Sequence, residues 1–126
     1  MLCNWLLVML GGALGASCRW GLGAILLPHL YPIPLGTLSV NWIGSFLIGL
    51  TLPIATHVSP LPDSLRMLFV TGFLGSFTTY STFSGEVVTM MMQGEYFWMS
   101  ATLLANLVGS LLLTFLGTMT IRSLLS

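Results

Sequence analysis

Long stretches without a single formal charge constrain this chain more than any other feature. Residues 1–18, 20–62 and 96–121 contain no Asp, Glu, Lys or Arg. A membrane span needs roughly 20 mostly apolar residues, so these stretches read as spans. Only 5% of the 126 residues are charged, against about a quarter in soluble globular domains. So few charges leave most of the surface to face a lipid bilayer. Net charge is zero and Lys is absent, which excludes a basic patch for nucleic acid. The first 27 residues lack a charged n-region and keep a helical pattern through Arg19, so they read as a span and not as a signal peptide.

Four helices are expected, at about 4–27, 35–55, 64–92 and 96–125. Pro28, Pro32 and Pro34 mark the first link, and Ser59, Pro60, Pro62 and Asp63 the second. Gln93, Gly94 and Glu95 form a tight third link. Asp63-Ser64 is a candidate N-cap. Trp5, Trp20, Trp42, Tyr96 and Trp98 include candidate interfacial anchors. Cys3 and Cys18 on one helix would stand about 22 Å apart, too far for a disulfide. Four helices are few to enclose a pore, and a homodimer is the simplest route to eight. Gly11-x-x-x-Gly15 and Gly12-x-x-x-Ala16 place small residues on one face, suited to close packing within one subunit or between two. With both termini cytoplasmic, Arg66 and Arg122 lie inside and Arg19 outside. That bias is weak under the positive-inside rule, and it opens the reading that the chain inserts both ways and pairs antiparallel.

Polar groups at membrane depth are the informative ones, because lipid offers them no partner. Asn41 precedes a long apolar run. Asn106, Ser110 and Thr114 recur at i, i+4 and i+8, which draws one polar stripe on the fourth helix. Uncharged hydroxyls and amides can serve an anion without trapping it, as conduction requires, or they can bond between helices. Residues 72–84, GFLGSFTTYSTFS, combine two glycines with six Ser or Thr hydroxyls. Gly and β-branched Thr are poor helix formers, and a helix broken here would free backbone carbonyls. Backbone freed at membrane depth is tolerated only within protein or beside water. Its carbonyls are hard oxygen ligands suited to Na⁺. The interleaved rings carry positive edges that can face an anion, or they simply pack. Arg19 and Glu86 lie near span ends, where they either line a vestibule or snorkel. No nucleophile with a base and an orienting group is present, so an enzyme is not expected.

Three motifs, Gly11 to Trp20, Gly36 to Gly44 and Gly72 to Ser84, together resemble the Fluc/CrcB family of bacterial fluoride channels. The resemblance covers essentially the whole chain, and the third motif is the most specific. It implies an all-α multi-pass protein of the bacterial inner membrane, with a broken third helix, assembled as an antiparallel, dual-topology homodimer with two pores. It implies passive, fluoride-selective export that reduces fluoride toxicity. It implies a structural Na⁺ at the dimer centre on the backbone carbonyls of Gly75 and Thr78. The pore residues it implies are Asn41, Tyr80, Ser81, Thr82, Phe83, Ser110 and Thr114. Asn106 joins them by its place in the stripe, and Arg19 and Glu86 match charges near the pore mouths. Tyr80 stands where the family typically has Phe; the phenol keeps a ring edge and adds a hydroxyl.

Two other classes fit a short four-helix chain. A small multidrug-resistance type transporter needs an acidic residue deep in its first helix, and the first acidic residue here is Asp63. A non-conducting subunit of a larger complex would use the small-residue faces but has no need of the hydroxyl-rich break.

Overall fold

The computed structural model describes residues 1–26 and 32–126, with only the backbone described at 57 and 58. The expected helix end at 27, Pro28 and His29 lie outside the described residues, as does the side chain of His57. Among the described residues the secondary structure is entirely helical. Three helical stretches are long and apolar enough to cross a bilayer: Leu2–Leu26, Leu35–Thr56 and Tyr96–Leu125. The chain is an all-α, multi-pass membrane protein.

Helix α1 is Leu2–Leu26 and α2 is Leu35–Pro53, which a π-helical turn over Ile54–Val58 extends. The next stretch is composite. A short α3, Asp63–Leu65, runs into a π-helix over Arg66–Leu74, then into α4, Gly75–Phe77. After a break come α5, Tyr80–Met92, and α6, Tyr96–Leu125. Gly94 allows the tight α5–α6 turn by adopting φ 76°, a left-handed conformation that glycine takes without steric penalty.

The N-cap of the third stretch differs from the expectation. Pro62 occupies that position and no side chain caps it. Asp63 sits inside the first turn, where a carboxylate suits the helix dipole, and pairs with Arg66 at 3.5 Å. The Trp42 indole N–H donates to Ala105 C=O of α6 at 2.9 Å. Trp5, Trp20 and Tyr96 are exposed.

The small-residue faces are used inside the subunit. A Cβ on Gly11 would strike Leu68 O and one on Gly15 would strike Phe73 O, so α1 lies backbone to backbone on the π-helix. A Cβ on Gly49 would meet the backbone of Thr114, and one on Gly117 would meet Phe46 O, which brings α2 and α6 equally close. Close approach of this kind is how helices associate where lipid removes the hydrophobic drive.

The break follows from two adjacent threonines. Thr78 (φ −82°, ψ 159°) and Thr79 (φ −150°, ψ 114°) are both extended, the conformation that β-branched side chains favour. Thr78 closes the first half, donating its N–H to Leu74 O at 3.1 Å and its hydroxyl to the same oxygen at 2.9 Å. Thr79 opens the second half as the N-cap of α5, its Oγ1 accepting from Thr82 N–H at 3.2 Å.

Candidate functional site: a groove at the helix break

The break opens onto a groove of about 460 Å³ between α2, α6 and the composite third stretch. Its polar wall is built by Asn41, Thr78, Tyr80, Asn106 and Ser110, and Phe83 and Gly75 also line it. Tyr80 is exposed and Phe83 is buried. Their rings meet edge to face, with centroids 5.6 Å apart and planes at 66°. None of these groups bears a formal charge. The α5 N-terminus ends in the groove at Tyr80, and a helix N-terminus carries partial positive charge.

Asn41 stitches this wall together. Its Nδ2 donates to Thr79 C=O at 3.1 Å and to Asn106 Oδ1 at 3.0 Å. Its Oδ1 accepts from Thr79 N–H at 2.9 Å. Asn106, in turn, donates from Nδ2 to Thr102 C=O at 3.0 Å. In an unbroken helix the Thr79 N–H would reach back to Gly75 C=O; here it goes to Asn41 instead.

Behind the break lies a second cavity of about 310 Å³, lined by Arg19, Trp20, Thr37, Thr79, Thr82 and Glu86 among others. Arg19 Nη1 donates to Thr78 C=O at 3.5 Å. Thr37 donates its hydroxyl to Glu86 Oε1 at 2.5 Å. The other carboxyl oxygen, Oε2, is buried without a hydrogen-bond partner among the described residues.

Known proteins align with most of this chain. The family described as CrcB-like protein, Camphor Resistance (CrcB), matches residues 6–118. The chain belongs to the CrcB-like family. Relatives named fluoride-specific ion channel FluC include one from Nitrosospira multiformis, 46% identical over 112 residues, which covers 89% of this chain and 88% of the relative. The Serratia proteamaculans relative of that name is 43% identical over 119 residues, 94% of each chain. The one from Haemophilus ducreyi is 47% identical over 114 residues, 90% of this chain and 88% of its own.

The CrcB-like chain distributes its sequence-predicted site residues between three environments. Asn41, Gly75, Thr78, Tyr80, Phe83, Asn106 and Ser110 share the groove. Arg19, Thr82 and Glu86 share the second cavity. Two residues line neither. Ser81 is exposed, its Oγ 3.5 Å from Thr79 Oγ1. Thr114 spends its hydroxyl on Ser45 C=O of α2 at 3.0 Å, so the lower end of the polar stripe bonds between helices. Two residues in the CrcB-like site went unnamed in the sequence reading. Thr79 is the partner of Asn41, and nothing in its type distinguishes it from its neighbours. Thr37 is the partner of Glu86, and its place four residues before Asn41 puts both on one face of α2.

Proposed function

We propose that this chain is a fluoride-selective passive channel that exports fluoride from the cytoplasm. The observation that carries the reading is the groove. It presents an edge-to-face aromatic pair, Tyr80 and Phe83, beside the Ser110 hydroxyl at the N-terminal end of α5. Ring edges, a hydroxyl and helix-end N–H groups offer partial positive charge, and no formal cation lines the groove to hold the ion too long. The names of the relatives support the same ion. Hydrogen fluoride crosses membranes as a neutral weak acid and dissociates in a near-neutral cytoplasm. A passive pore then lets the trapped anion leave down the inside-negative potential, with no need for ATP.

The functional unit in this reading is an antiparallel, dual-topology homodimer in the bacterial inner membrane, with two pores. One subunit leaves the groove open on one side, and its wall residues Tyr80 and Leu111 are 75% and 72% exposed, so a second copy has a wall to complete. A structural Na⁺ fits the residues present. The Thr79 N–H is diverted to Asn41, which releases the Gly75 carbonyl, and Gly75 itself is exposed in the groove. The Thr78 carbonyl keeps only a long bond from Arg19. These two oxygens, with their counterparts from a second copy, are the hard donors that Na⁺ prefers. Bound there, the cation would supply a fixed positive charge beside the anion path. Arg19 draws anions into the second cavity, and Thr37 holds the Glu86 carboxyl at its wall.

Ion efflux from liposomes tests the reading. Purified protein is reconstituted with internal fluoride, and a potassium ionophore starts release, which a fluoride electrode follows. The expected result is fast fluoride release, no release from chloride-loaded vesicles, and no dependence on ATP or a proton gradient. A folded, reconstituted protein that releases no fluoride would sink the proposal.

A further inference from the structure

We infer that Asn106 is a positioning residue, whose carboxamide oxygen orients the Asn41 amide so that Asn41 clamps both backbone groups of Thr79 and holds the third helix broken. The two ends of the relay fix its direction. Thr79 N–H can only donate, so the Asn41 atom facing it is Oδ1. Thr102 C=O can only accept, so the Asn106 atom facing it is Nδ2. That leaves Asn106 Oδ1 turned toward Asn41 Nδ2, at 3.0 Å. Both N–H groups of Asn41 are then spent, one on Thr79 C=O and one on Asn106. Asn41 has no donor left to offer an anion, and its task is to hold the wall that the anion passes.

The relay also explains how an extended dipeptide survives at membrane depth. Backbone N–H and C=O groups there need partners, and the Thr79 N–H has lost its helical acceptor, while the Thr79 C=O, at the N-cap, still belongs to the first turn of α5. The Asn41 side chain accepts from that N–H and adds a second bond to the C=O. Asn106 is 4% exposed, so water does not readily replace its oxygen. Without that acceptor, one Asn41 N–H is orphaned and the amide is free to rotate away. The Thr79 N–H would then lose its acceptor for part of the time, and the break would open more often.

Hydrogen exchange on the reconstituted full-length protein tests this without reference to the transported ion. Asn106→Leu removes the acceptor, and Asn106→Asp in its neutral form keeps an oxygen toward Asn41 and an O–H donor toward Thr102 C=O. The expected result for Leu is exchange at Thr79 and its neighbours in 75–83 that is roughly three- to tenfold faster, the range for one lost hydrogen bond, with helices α1 and α6 unchanged. The Asp variant is expected to stay near wild type. Should the Leu variant not fold, Asn106→Ala takes its place in the comparison with Asp. Equal exchange in the acceptor-free and acceptor-keeping variants would overturn the inference. Only the efflux arm rests on the channel reading: fluoride release is expected to fall with Leu and to recover with Asp. If the wild type releases no fluoride, the channel reading fails while the exchange comparison still decides the relay.

Discussion

At the scale of single residues, the site depends on which polar atoms have partners. Thr37 and Glu86 form a bond of 2.5 Å in a half-buried setting, and the second Glu86 oxygen is already without a partner among the described residues. Thr37→Val preserves shape and removes the donor, leaving the whole carboxyl unsatisfied. Loss of a partner for a buried acceptor costs about 1–3 kcal/mol, so detergent-unfolding stability is expected to fall by that amount. Glu86→Gln alone is expected to be milder, because the Thr37 hydroxyl can still donate to an amide oxygen. The double variant Thr37→Val, Glu86→Gln is expected to lose less than the sum of the singles, with a coupling of about 1 kcal/mol. Strict additivity would show that the two side chains act independently.

At the scale of elements, close helix contacts set which glycines can change. Gly49 admits α6 so near that an added methyl meets the Thr114 backbone, which cannot swing aside. Overpacking of this kind costs about 1–3 kcal/mol, and Gly49→Ala is expected to show it in unfolding midpoints. Gly21, with nothing within 4 Å of its added Cβ, is the contrast. Gly21→Ala is expected to be neutral or to stabilise by up to about 1 kcal/mol through helix propensity. Equal effects at the two sites would mean that the contact does not limit packing. Much at this scale was legible beforehand. Charge-free runs reveal apolar spans because lipid excludes charge, and the glycines and hydroxyls of 72–84 mark a stretch of poor helix formers, but only the fold places the break at Thr78 and Thr79. The π-helix over Arg66–Leu74 was not legible, since its wider hydrogen-bond pattern has no side-chain signature. Nor was the saturation of Asn41. Its residue type shows which donors exist, and only the fold shows that Thr79 and Asn106 consume them. The bond from Thr114 to Ser45 was hidden for the same reason, because periodicity assigns a face to a residue but not a partner.

At the scale of the molecule, the proposed antiparallel pairing of two copies is testable through the charge distribution. One end of the subunit carries Arg66 and Arg122, and the other carries Arg19, with no Lys anywhere. A bias of two cations against one is too small to orient a chain firmly, and in the proposed antiparallel dimer one gene would supply both orientations. Ser59 and Pro60 are exposed in the link that precedes α3. Lysines at both positions raise the bias to four against one, enough to hold that end in the cytoplasm. Met92 and Gln93 are exposed at the opposite end, and lysines there give three against two, a bias as small as the natural one, so this variant still supplies the orientation that the first lacks. Expressed alone, the Ser59→Lys, Pro60→Lys variant is expected to insert one way, as read from the accessibility of a terminal tag, and to leave cells sensitive to fluoride. Expressed together with the Met92→Lys, Gln93→Lys variant, it is expected to regain tolerance, because opposite orientations can pair again. Full tolerance from the uniformly oriented variant alone would rule out the antiparallel pair, since the second wall of each groove would then have to come from a copy facing the same way.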